Sequence, residues 1–321
     1  MIKRISFIKY RKLSNISIDL SAGLNFISGA NGTCKSSVLH LISNAYQRVK
    51  VRDNPKVRAD ANLRLLSAHN LGLNLKIESL TKGDKKYRDP AIGVQGSLYR
   101  VTYADNHEIS FRRHISSSSE RYSMKPEYKR GSEEKLPSIP VIYLGLTRLI
   151  PIGELSDDTL VKSGKSQFPD IYEQERIALF KRLTRHEIKG KCSRQKIGHL
   201  KTRDEFQTAK EGIDSNTISS GEDNIISIIK ALVSLHYYYD SLTELCGFSE
   251  SVLLIDEVDA AIHPSMQERL CDVFREYSEK YKIQIVCTTH SITLLDYAFE
   301  KKDNVNWVAD KITHDMLYYS T

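Results

Sequence analysis

The chain has 321 residues, with 47 Lys/Arg against 40 Asp/Glu and a net charge of +7. That length holds one large or two modest domains with real cores, and no stretch approaches the roughly 18 apolar residues of a membrane span. No apolar signal region opens the chain, and its five cysteines (Cys34, Cys192, Cys246, Cys271, Cys287) lack any C-x-x-C spacing. A reducing, cytoplasmic setting is expected, and structural zinc is not.

In chain order, Leu24–Ser28 is a short apolar run of strand type, and Val38, Leu39, Leu41 and Ile42 share one helical face. Between them Gly29-Ala30-Asn31-Gly32-Thr33-Cys34-Lys35-Ser36-Ser37 departs once from G-x-x-x-x-G-K-[ST], with Cys34 at the last glycine. A strand, a small-residue turn and a helix gather backbone N–H groups and a helix N-terminus around one anion. Gly29, Asn31, Gly32, Thr33, Cys34, Lys35, Ser36 and Ser37 are therefore the candidate nucleotide-binding residues. Lys35 would reach the β- and γ-phosphates, and the Ser36 hydroxyl would hold Mg2+. Taken alone, the match could also be a chance one in a glycine-containing turn.

Lys50 to Arg64 is basic and polar. Residues 72–135 read as antiparallel β: Asn74–Glu78, Leu98–Tyr103 and Glu108–Arg113, with a turn at Asp105-Asn106. Ser116 to Glu134 reads as a polar loop, and Val141–Gly145 as a further strand. From Arg176 to Lys210 stand eleven Lys/Arg against three acids, a local +8 that leaves −1 for the remainder of the chain. Lys181, Arg182, Arg185, Lys189, Lys191, Arg194 and Lys196 are its candidate contacts. Clustered bases of this kind neutralise nucleic-acid phosphates, dock an acidic protein, or form a solvated face. With Phe180 and Phe206 as its only aromatics, the segment offers little base stacking to single strands.

Thr217–Asn224 is a serine- and glycine-rich turn with acidic residues, followed by apolar positions 225, 228, 229, 232 and 235 of an amphipathic helix. It is either a capping sequence or a second anion-binding helix start. One chain needs no second helix start on the same phosphate, unless that start serves another protomer. Ser251–Ile255 reads as a buried parallel strand ending at Asp256 and Glu257. Ligands of such sheets lie beyond the carboxyl ends of the strands. Asp256 is suited to the magnesium shell and Glu257 to activating a water. Pro264 opens the next helix. Ile283–Thr289 is a further strand, and His290 after it either bonds a γ-phosphate or caps the helix near Ser291.

Together these segments resemble an ABC-type ATPase of the SMC/RecF/OLD branch. Ile5 to Leu13 with Asp19 to Ile27 resembles its first hairpin, Ile218-Ser219-Ser220-Gly221-Glu222 its signature motif, Asp256 to Pro264 its Walker B and D-loop, and Thr288-Thr289-His290-Ser291 its histidine switch. The resemblance covers roughly residues 1–50 and 140–321. It implies an α/β fold: an ABC ATPase head with a central mostly parallel sheet, an antiparallel β subdomain (about 72–135) and a short helical insertion. The corresponding segments are 1–150 (first lobe with the phosphate loop), 151–214 (basic helical insertion) and 215–321 (signature, Walker B and histidine-switch lobe). A closing hairpin is expected from Val305 to Tyr319.

The resemblance also implies ATP and Mg2+ sandwiched head-to-head between two copies. Lys35, Ser36, Asp256, Glu257 and His290 would come from one copy, with Ser219 and Gly221 of the other on the γ-phosphate. Short heads of this kind resemble sensor ATPases of anti-phage systems, which implies a separate effector protein. Two alternatives stand beside that: a RecF-like DNA-metabolism ATPase binding duplex DNA through 176–210, and an ATP-dependent assembly scaffold with little turnover. The insertion of about sixty residues shows no sustained heptads, which excludes the long-armed repair members. Cys34 and Ser220 depart from the family pattern, Cys34 as a simple accommodation or a redox-sensitive thiol. Where the family has a Q-loop glutamine the chain reads Leu146-Thr147-Arg148, so Thr147 or Arg148 stands in that place.

Overall fold

A computed structural model describes residues 1–49, 59–80, 89–114, 123–128, 134–150, 160–162, 168–197, 201–246 and 249–308. Of these, 59–63, 160–162, 190–197, 201–203 and 242–246 are described by backbone alone. Strands β1 (Ile2–Tyr10) and β2 (Leu13–Asp19) form the opening hairpin, antiparallel in register from Arg4 opposite Asp19 to Tyr10 opposite Leu13. Strand β1 buries Ile2, Ile5, Phe7 and Tyr10, at spacings of three, two and three residues in place of strict alternation. Strand β3 (Leu24–Ser28) leads through the glycine-containing loop into helix α1 (Lys35–Asn44). Helices α2 (Ala59–His69) and α3 (Ile77–Leu80) follow, then β4 (Ser97–Tyr103), β5 (Glu108–His114) and β6 (Ser123–Glu127). Strands β1, β2, β4, β5 and β6 make one antiparallel sheet in the order β2-β1-β4-β5-β6.

Two of the expected details in this region differ. Asn74–Glu78 is not a strand. Asn74 sits at φ +48, its N–H donates to the Val141 carbonyl and its side chain to the Ile139 carbonyl, which turns the chain away from extension before α3. The polar stretch read as a loop contains β6, which pairs from Ser110 opposite Glu127 to His114 opposite Ser123; its other parts, 115–122 and 129–133, lie outside the described residues. The turn at Asp105-Asn106 forms, with Asn106 in the left-handed region that asparagine tolerates.

Strand β7 (Val141–Leu144) is followed by a 3-10 turn (Leu146–Leu149), strand β8 (Leu160–Lys162), helix α4 (Asp170–Thr184), and the hairpin β9 (Ile188–Ile197) and β10 (Lys201–Thr208). Among its described residues the insertion holds one helix and a three-stranded antiparallel sheet, β10-β9-β8, where a helical segment was expected. The physical reason lies in β10, where Asp204, Phe206 and Thr208 are buried in alternation with the more open Glu205 and Gln207. Phe206, on the buried face of that alternation, meets Phe180 of α4 edge-on at 5.6 Å.

Helix α5 (Ser220–Cys246), strand β11 (Ser251–Ile255), helix α6 (Pro264–Tyr281), strand β12 (Ile283–Thr288), helix α7 (Ile292–Glu300) and strand β13 (Asn304–Trp307) complete the described chain. The second sheet, β13-β3-β12-β11-β7, is parallel throughout, and every residue of β3, β11 and β12 is buried. Its two faces supply different cores. Leu253, Ile255, Ile285, Cys287 and Phe26 pack with α4, α5, α6 and α7, while Val252, Leu254, Val286 and Ile27 pack with α1 and the antiparallel sheet. Covering on both faces explains the continuous apolar runs. The sheet draws β3 and β7 from the first 150 residues and β11, β12 and β13 from the last hundred, so the segments 1–150 and 215–321 share it. Of the expected closing hairpin, β13 is described and pairs parallel to β3; residues 309–321 lie outside the described residues.

Candidate nucleotide site

Because the sheet is parallel, the carboxyl ends of β3, β7, β11 and β12 emerge on one edge, in the register Ile255 beside Cys287 and Cys287 beside Phe26. That edge collects the phosphate-binding loop, the 3-10 turn after β7, Asp256-Glu257 and Thr289-His290, as expected for ligands of open parallel sheets.

The loop keeps the backbone of a phosphate cradle. Gly29 has φ +148, and a Cβ there would run into the Val308 carbonyl just past β13, so glycine is required by close approach. Gly32 sits at φ +77. Cys34 itself takes the left-handed conformation, φ 72 and ψ 23, as the N-cap of α1. The chain has kept the shape a glycine would hold and placed a side chain on it. Lys35 is 7% exposed, and its ammonium donates to the Gly29 carbonyl at 2.9 Å and the Ala30 carbonyl at 3.0 Å, folded across the loop. Burial lowers its pKa, opposed by the nearby carboxylates of Glu257, Asp256 and Asp259. Thr33 closes the loop through its hydroxyl on the Ala30 carbonyl at 2.8 Å, and Arg11 donates to the Ser37 hydroxyl at 3.0 Å.

A cavity of about 550 Å³ includes Ser36 and Asp256 in its lining, with Thr147, Arg148, Tyr143 and His40. Asp256 is 4% exposed and accepts from the Thr288 hydroxyl at 2.6 Å; the same hydroxyl accepts from the Glu257 N–H at 2.7 Å. Among the described residues no cluster of three or more His, Cys, Asp or Glu side chains could form an all-protein metal site. One serine hydroxyl and one buried carboxylate nevertheless fit Mg2+, which keeps several waters and takes further oxygens from substrate phosphates. Tyr143 faces Asp256, and burial followed by that charge raises its pKa. His40 meets the Tyr143 hydroxyl at 3.1 Å, and burial lowers the imidazole pKa to about 4.

Sequence reasoning did not single out His40, Tyr143 or Thr288 as supports of Asp256, nor Arg11 as a partner of Ser37. Their only signal is tertiary. Arg148, offered with Thr147 at the Q-loop position, is turned inward at 4% exposure and bonds main-chain carbonyls, while Thr147 is exposed and lines the cavity with Ser36.

Of the expected site residues, Ser36 and Asp256 line this cavity, while Lys35, Ser219, Gly221, Glu257 and His290 do not. Ser219 is exposed and forms a capping box with Glu222: its hydroxyl accepts from the Glu222 N–H at 3.2 Å, and its own N–H donates to the Glu222 carboxylate at 3.0 Å. Gly221 packs so closely on the Ala261 carbonyl that a Cβ would clash. His290 is exposed, and its N–H donates to Asp259 at 3.4 Å. The helix cap there is Ser291, whose hydroxyl accepts from the Leu294 N–H at 3.2 Å. In the basic segment, Lys181 pairs with Glu187 at 3.4 Å, Arg182 with Glu276 at 2.7 Å, and Arg176 is buried against Asp204 and Glu173. Arg185 and Lys189 are exposed, and Lys191, Arg194 and Lys196 lie on β9, where only the backbone is described.

A strand–loop–helix phosphate cradle, an Asp-Glu strand end and a histidine strand end meet on one edge of a parallel sheet, the frame of an α/β nucleotide-binding domain. The chain belongs to the AAA-domain family: a profile described as "AAA domain" matches residues 4–242. A second, described as "AAA domain, putative AbiEii toxin, Type IV TA system", matches 226–296. Solved structures similar to the chain include the SMC head domain from Thermotoga maritima, at 14% identity and TM-score 0.46, covering 95% of this chain and 94% of that one. An Smc head bound to the C-winged helix domain of ScpA is 14% identical with TM-score 0.48, covering 92% and 91%. The recombination mediator RecF is 12% identical with TM-score 0.40, covering 92% and 94%. No curated protein matches the sequence significantly. Among the described residues no helix is long and apolar enough to cross a membrane.

Proposed function

We propose that this chain binds ATP with Mg2+ at the carboxyl edge of its parallel sheet and hydrolyses it in a head-to-head dimer, as the regulatory ATPase of an anti-phage complex with a separate effector. The observation that carries the nucleotide reading is one cavity shared by Ser36, at the end of the phosphate loop, and Asp256, at the end of β11. The dimer is supported by Ser219, exposed at the start of α5. The capping box holds the Ser219 and Glu222 N–H groups, so the contact proposed here has a phosphate from the other copy replacing the Glu222 carboxylate at this helix start. Lys35 and the loop N–H groups hold the β- and γ-phosphates, Ser36 and Asp256 hold the cation, Glu257 takes the proton of the attacking water, and His290 bonds the γ-phosphate. The partner's Ser219 and Gly221 close the site. The defence role is supported by the likeness of 226–296 to a family described as a putative toxin of a toxin–antitoxin system.

Turnover tests the chemistry. Glu257→Gln should lower kcat by about a hundredfold or more while ATP still binds, and Lys35→Ala should lose ATP binding. Full turnover by Glu257→Gln would remove Glu257 as the base. Native mass spectrometry of the chain from its host, with and without nuclease, tests the partner. A stoichiometric second protein supports the effector; a nuclease-sensitive mass moves the function to duplex DNA bound through 176–210.

A further inference from the structure

Arg148 occupies an unusual position for a guanidinium. It is 4% exposed, and burial pulls its pKa down. Removing such a charge from water is costly unless its donors are satisfied. Here they are spent on three separate elements. Nε donates to Asn224 Oδ1 of α5 at 2.8 Å, NH1 to the Leu144 and Gly145 carbonyls at 3.2 and 2.9 Å, and NH2 to the Glu257 carbonyl at 2.8 Å. Asn224, with no exposed surface, passes the connection on by donating to the Ala260 carbonyl at 3.0 Å.

The segment so held carries two non-glycine residues in the left-handed region. Glu257 has φ +48 and Ala261 φ +60, conformations that non-glycine residues adopt only when their surroundings impose them. The Glu257 N–H is fixed from β12 by the Thr288 hydroxyl, and its carbonyl is fixed from the other side by Arg148. Asn224 lies one turn inside the helix that Ser219 caps, and Gly221 touches the Ala261 carbonyl directly. Any displacement of the start of α5 therefore acts on the Glu257 backbone through Asn224 and Arg148.

We infer that Arg148 and Asn224 are positioning residues that tie the Glu257 peptide to the start of α5, so that occupancy of the signature turn sets the placement of the general base. This rests on the ATPase reading above. The fork geometry of arginine is essential to it, because an ammonium presents all three donors at one nitrogen and does not reach partners spread across the width of a guanidinium.

The test is ATP turnover of the full chain as wild type, Asn224→Ala, Arg148→Met, Arg148→Lys and the Asn224→Ala/Arg148→Met double variant, with ATP affinity measured alongside. The expected result is a kcat loss of roughly ten- to a hundredfold in each single variant. KM should stay within about threefold. The double variant should fall no further than its worse single to within about twofold, as for two links of one chain. Arg148→Lys should not recover the rate; recovery would show that the residue acts as a charge near Asp256, which overturns the positioning role. Additive losses, or losses matched by weaker ATP binding, overturn it as well. Should Arg148→Met fail to fold, Asn224→Ala keeps the guanidinium in place and decides alone, unchanged kcat overturning the inference. A wild type without turnover removes the ATPase reading and this inference together; an active wild type with unaffected variants removes the inference only.

Discussion

The carboxyl edge of the parallel sheet and the insertion at 151–214 are built by opposite strategies. At the edge, short contiguous motifs each bring their own backbone geometry, and the sheet only has to align their ends. In the insertion, residues distant in sequence fix one another. Arg176 of α4 is buried against Asp204 of β10, Lys230 of α5 approaches the same carboxylate at 4.0 Å, and Phe206 and Ile188 join the core built by α5. Buried Asp204 would be raised in pKa by desolvation alone, yet Arg176, Lys230 and His69 bring it below the usual carboxylate value. Motif-bearing edges can be read locally; an insertion that shares the main core cannot. The difference also says that the insertion is no detachable arm.

The largest test of that contrast is Phe206→Ala. With Phe206 3% exposed in the core shared with α5, truncation should cost about 3–5 kcal/mol. Denaturant unfolding should show one transition shifted as a whole; two separate transitions would make the insertion an independent unit.

A second test concerns the edge. His40 is held neutral, its folded pKa lowered from 6.5 to about 4, so between those values the unfolded chain binds the proton that the folded chain refuses. Stability from this group is full above pH 6.5 and falls as pH drops toward 4, by up to about 3 kcal/mol. Replacing His40 with glutamine should flatten unfolding free energy over that window. An equally steep profile in His40→Gln would place the acid sensitivity elsewhere.

The smallest effect sharpens the account of the loop. Cys34 pays for a left-handed conformation, about 1–2 kcal/mol for a side-chain-bearing residue. Glycine relieves this but loses more chain entropy on folding, so Cys34→Gly should stabilise by no more than about 1 kcal/mol and keep ATP affinity. A destabilised Cys34→Gly would mean that the thiol's packing against the lobe core outweighs the strain.

What could be read from the amino-acid order was what nearest neighbours decide. The apolar run Val252–Ile255 had to be a covered strand, Pro264 had to open a helix, and the residues from Gly29 to Cys34 had to turn the chain from strand into helix. Each depends on φ/ψ preference, period and capping within a few residues. Tertiary structure decided the rest, because each outcome needed a partner far along the chain. Cys34 adopts a glycine's dihedrals within a loop whose first residue, Gly29, lies against Val308. Asn74 leaves its strand for the carbonyls of Val141 and Ile139. Arg148 gives up a surface position for Asn224 and Glu257, and the basic segment folds as a hairpin that sets Phe206 against Phe180. In each case burial and hydrogen bonding across long sequence separations outweighed local propensity, which is worth only tenths of a kcal/mol per residue.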